Sequence, residues 1–62
     1  MTMQEIMNLL ENVRFVRERD VLEGMRSSEA DQTKLSLLNL QVQKKVLCKE
    51  ISGIFCWILN NE

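Results

Sequence analysis

The sequence predicts an all-α fold, an antiparallel two-helix hairpin packed into a dimer or a larger helical assembly. Three observations carry this expectation. Proline is absent and glycine occurs twice, so long helices are permitted and tight β turns are scarce. Apolar residues recur at three- and four-residue spacing on both sides of one polar stretch. That stretch, Gly24-Met25-Arg26-Ser27-Ser28-Glu29-Ala30, is the clearest break in the chain. The expected organisation is a single helical-hairpin domain over residues 1–62. It has a helix over about 3–25, a turn over about 26–29 and a helix over about 30–59.

The first helix starts at a capping box. In Thr2-Met3-Gln4-Glu5 the hydroxyl and the carboxylate satisfy each other's free backbone donors. Met3, Ile6, Leu10 and Val13 then form an apolar stripe, widened by Leu9 and Val16. Asn8, Glu11, Arg14 and Glu18 line the opposite side. The stripe falters at Arg17-Glu18-Arg19-Asp20 and resumes, displaced around the helix, at Val21, Leu22 and Met25. One reading is a helix that serves two neighbours; the other is a longer apolar face with charged stems lying over its edge. Gly24 suits a left-handed helix end, and Ser27 or Ser28 suits the cap of the next helix.

In the second helix Leu37, Leu40, Leu47, Ile51, Ile54 and Ile58 occupy one heptad frame, with Lys44 the only miss. Leu35, Leu38 and Val42 lie beside that frame. From Ile54 to Leu59 every residue is apolar, so a helix there needs cover on more than one side. A strand is the alternative for this segment: Phe, Trp and Ile favour strands, and Gly53 precedes them. A lone strand needs a partner, and no second strand of comparable strength stands out.

A chain of 62 residues buries only about 60% of its unfolded surface and is marginal alone. Association, a metal or disulfides are the usual remedies. There is no His to support common zinc sites. Cys48 and Cys56, on one helix, would be about 12 Å apart, beyond disulfide reach. Both read as small core residues of a reducing compartment; a reactive Cys48 would depend on Lys44, Lys45 and Lys49 nearby. Association is the remedy left.

No catalytic residue, cofactor site or metal site is assigned, and the chain does not read as an enzyme. Glu5 with Glu11, and Glu18 with Asp20, read as solvated surface rather than carboxylate pairs. Glu29 and Asp31 lack the rigid loop a cation site needs. The net charge of −1 leaves no footprint for nucleic acid, and basic and acidic residues alternate. Met1 to Leu10 carries Glu5 and has no basic start, so it does not read as a secretion signal. The apolar run near the end is far shorter than the roughly 20 residues of a membrane span. The expected location is cytoplasmic.

What remains is excess apolar surface. The expected partner-binding residues are Ile6, Leu10 and Val13 on the first helix, with Ile51, Ile54, Phe55, Trp57, Ile58 and Leu59 near the end. They imply self-association or a helical heteropartner.

Several of these features resemble one known family. They are the Met1-Thr2 opening with Glu5, the run Asn12-Val13-Arg14-Phe15-Val16-Arg17, the polar turn over Met25–Asp31 and the closing Ile51–Leu59 segment. The chain is similar in these to the small E-type co-chaperones of bacterial type III secretion needle subunits. The resemblance implies a helical hairpin that packs on a larger helical-repeat chaperone and keeps the needle subunit soluble before export. The face used would be Ile6, Leu10, Val13 and Ile51–Leu59. The expected function is therefore a protein-interaction module of chaperone or co-chaperone type. The alternative is a homodimeric four-helix adaptor that binds RNA or DNA or masks a transcription factor.

Overall fold

The computed structural model describes residues 1–61. It overturns the all-α helical hairpin and the coiled-coil packing. The chain folds as three helices and a three-stranded antiparallel sheet: α1 (Met3–Val13), β1 (Phe15–Arg17), α2 (Glu18–Leu22), α3 (Ser27–Val42), β2 (Val46–Ile51) and β3 (Ile54–Leu59). The sheet order is β1-β3-β2. Helix, strand, short helix, long helix and a closing two-stranded hairpin follow one another along the chain.

The long expected helices are cut by residues in the left-handed region, and three of these, Arg14, Lys44 and Ser52, carry a side chain. Arg14 (φ 65) ends α1, and its N–H bonds to Leu10 O at 2.8 Å. Lys44 (φ 61) ends α3 in a Schellman arrangement. The N–H of Lys45 donates to Leu40 O at 3.0 Å and that of Lys44 to Gln41 O at 2.9 Å. Lys44 was the single miss in the apolar heptad frame, and the miss marks the helix end. Ser52 (φ 53) and Gly53 (φ 79) form the two-residue β2–β3 turn, with both central residues at positive φ as a type I′ hairpin requires.

The Ile54–Leu59 segment is thus a strand, and the strand that pairs with it is Val46–Ile51, read from the sequence as the middle of a helix. The register runs from Val46↔Leu59 to Ile51↔Ile54. On its other side β3 pairs with β1 through Phe15↔Ile58, Val16↔Trp57 and Arg17↔Cys56. The faltering stripe at Arg17–Asp20 is the junction between β1 and α2. The Glu23–Arg26 turn, with Gly24 at φ 78, separates α2 from α3. Neither Ser27 nor Ser28 caps α3; Arg26 stands at its N-cap with no side-chain bond.

The start of α1 is as the sequence predicts. Glu5 N–H donates to Thr2 Oγ1 at 3.1 Å, and Thr2 N–H donates to Glu5 Oε1 at 2.9 Å. That second bond holds the Glu5 carboxyl below its ordinary range. The core joins Ile6 and Leu10 of α1, Leu37 and Leu40 of α3, Val46 of β2 and Trp57 of β3, with Val16, Cys48 and Leu59 packed around them. Thr33 is buried and donates to Glu29 O at 2.8 Å. No helix among the described residues is long and apolar enough to cross a membrane.

Candidate functional site: the open face of the sheet

Side chains alternate across a strand, and cross-strand partners share a face. Val16, Val46, Cys48, Trp57 and Leu59 face the helices and build the core. Alternation puts Phe15, Arg17, Leu47, Lys49, Ile51, Ile54, Cys56 and Ile58 on the other face. The register arranges them in three rows. The first is Phe15, Ile58 and Leu47; the second is Arg17, Cys56 and Lys49; the third is Ile54 and Ile51. Phe15, Leu47, Ile51 and Ile54 are all exposed. Two apolar rows therefore flank one basic row whose two cations, Arg17 and Lys49, are exposed.

Cys56 lies in the basic row yet is only 2% exposed. Arg17 Nε is held by Asp20 Oδ2 at 2.7 Å, and this bond raises the guanidinium pKa further. Cys48 points the opposite way from Lys49. Burial pushes its thiol above the ordinary range, helped by the nearby Glu18, Cys56 and Glu50. That direction gives no support to the lysine-activated thiol considered from the sequence.

The nine expected partner-binding residues divide. Ile6, Leu10 and Trp57 are core, and Leu59 is half-buried against it. These four contribute to this chain's own interior. Val13 is exposed on α1 and Phe55 is exposed on the helix side of β3, near Leu22, Lys34 and Ile54. Ile51, Ile54 and Ile58 come together on the open face. Sequence reasoning missed Phe15 and Leu47 there, because it placed both on helices. The available signal was two six-residue apolar-rich runs separated by Ser-Gly.

A second uncovered stripe runs along α3. Leu35, Leu38 and Val42 are 60%, 50% and 81% exposed, on the side away from the buried Thr33, Leu37 and Leu40. In a helix-turn-helix domain that reads DNA, this helix carries the base-reading side chains. Here its exposed surface is aliphatic, and its first turns hold Glu29 and Asp31. Arg19, Arg26, Lys34 and Lys49 are interspersed with Asp20, Glu23, Glu29, Asp31 and Glu50, so no basic patch forms around it. Among the described residues no group of three or more Cys, Asp or Glu is placed to hold a metal ion.

Trp57 is 3% exposed, and its indole Nε1–H has no hydrogen-bond partner among the described residues. No family model, no curated protein and no solved structure matches this chain.

Proposed function

We propose that this chain is a protein-interaction module that docks a partner on the open face of its sheet. One observation carries the reading: Phe15, Leu47, Ile51 and Ile54 are exposed together on one face of a sheet whose other face is already core. A contiguous apolar surface of this kind on a small chain marks a partner site, because leaving it in water forgoes about 25 cal/mol for each Å² that could be buried. The needle co-chaperone resemblance implied a helical hairpin. The proposal keeps the partner-binding role and drops that family's architecture.

The test uses Ile51→Asp and Ile54→Asp, made singly. Both sites are exposed, so far-ultraviolet circular dichroism should keep its native shape. Intact-complex mass measurement after purification from the native host should show the partner with the wild type and lose it with both variants. Retention of every partner by both variants would end the reading.

The element order favours a second reading, duplex DNA binding, by analogy of fold alone. Its charge pattern argues against it. Binding through phosphates would give an affinity that falls steeply and linearly in log–log form with salt. Absence of retention on duplex DNA at low salt disposes of this reading.

A further inference from the structure

We propose that the occupant of the open sheet face is an amphipathic helix of another protein, bearing an acidic residue between two bulky apolar ones. The inference rests on the protein-interaction reading and names the partner's chemistry. Along a strand, every second residue shares a face, so successive rows lie about 6.7 Å apart. The order of rows is apolar, basic, apolar. None of the strand residues on this face is a carboxylate, because alternation sends Glu50 to the other side; the carboxylate of Asp20, from α2, reaches Arg17. Lys49 has no ion pair among the described residues, while Arg17 offers Asp20 only its Nε.

An α-helix laid along the strands presents residues i, i+4 and i+8 on one side, about 6 Å apart. An apolar, acidic, apolar sequence at those positions therefore meets the three rows in turn. Arg17 and Lys49, two strand spacings or roughly 10 Å apart, stand on either side of the acidic residue. Arg17 already has Asp20, but burying Lys49 against an apolar partner would leave its charge unpaired, so a neutral helix fits poorly. A second copy fits poorly too. A two-fold packing of this face on itself, centred on Cys56, sets Arg17 and Lys49 against their own copies. Two cations are also too few to hold the chain on an anionic bilayer by attraction alone.

The experiment uses the full chain and two synthetic helical peptides, with Leu at i and i+8 and either Glu or Lys at i+4. Fluorescence anisotropy should give about tenfold tighter binding of the Glu peptide by the wild type. Lys49→Glu should reverse the preference, Lys49→Gln should remove it, and Ile54→Asp should lose both peptides. Equal binding of the two peptides, or a preference unchanged in Lys49→Glu, overturns the acidic partner and leaves the interaction reading standing. Binding of neither peptide overturns both. In that case sedimentation shows what covers the face instead: a dimer dissolved by Ile54→Asp, or co-sedimentation with phosphatidylglycerol vesicles.

Discussion

The two faces of the sheet use the same kinds of residue for opposite ends. The inner face sets Val16, Val46, Cys48, Trp57 and Leu59 against α1 and α3. The outer face leaves Phe15, Leu47, Ile51 and Ile54 exposed to solvent, with Ile58 half-buried. Neighbours in the sequence, such as Trp57 and Ile58, differ only in the side of the strand they occupy. Apolar character alone does not separate core from interface here; strand parity does. The comparison has an energetic content, because burial stabilises the isolated chain on one face and is available only to a complex on the other.

The largest expected effect is on the inner face. Trp57→Ala should destabilise by about 3–5 kcal/mol, the usual cost of emptying a large buried aromatic site. Total stability for a chain of this length is roughly 3–9 kcal/mol. The variant should therefore be largely unfolded at 37 °C by circular dichroism. A cooperative melt near that of the wild type would mean that the inner face is not the core.

The same parity explains what was legible in the sequence. α1 was readable at its start because its capping box is local and its stripe has one period. Its end was not, because Arg14 takes a left-handed conformation that the sequence usually marks with glycine. Lys44 hid the end of α3 in the same way. With both breaks concealed, residues 46–59 kept a helical spacing that strand pairing then replaced. Leu47, Ile51, Ile54 and Ile58 fit both a heptad and every second position of a hairpin: 47 and 51 are four apart, as are 54 and 58. The turn between α2 and α3 was readable only roughly: Gly24 announces a break, but the turn expected over about 26–29 lies at Glu23–Arg26, and residues 27–29 already belong to α3. Of the candidate site, Ile51, Ile54 and Ile58 were found for their apolarity, while Phe15 and Leu47 needed the register.

That hidden break gives the next largest effect. The left-handed region costs a residue with a Cβ roughly 1 kcal/mol, and Lys44 bears that cost at the point where α3 gives way to β2. Lys44→Gly should raise stability by about 0.5–1 kcal/mol, the strain relieved being partly offset by a freer unfolded chain. A urea midpoint that rises at constant slope would confirm it. A fall would mean that Lys44 is not held in that conformation, and the division between helix and hairpin would be in question.

Trp57→Phe should cost far less than Trp57→Ala. The smaller ring loses packing, but it also removes a buried N–H that has no partner. An unsatisfied buried donor costs about 1–3 kcal/mol, so the two effects largely cancel and a net change within about 1 kcal/mol is expected. A loss close to that of the Ala variant would show that the indole nitrogen is satisfied in solution, and that the inner face is wetter than its apolar lining suggests.

The smallest expected effect belongs to the outer face, and it decides the comparison. Ile51→Thr exchanges one β-branched residue for another at an exposed site beside the Ser52-Gly53 turn. Strand preference is kept and little buried area is lost, so stability should move by no more than about 0.5 kcal/mol. The same substitution removes apolar area from the proposed docking surface, so affinity for an apolar, acidic, apolar helix should fall while the melt does not. A melt that drops by as much as a core truncation would mean that Ile51 already packs within this chain, and the distinction between the faces would fail. Conserved stability with weakened binding is the signature of a residue retained for a partner, because the folded monomer gains nothing measurable from it.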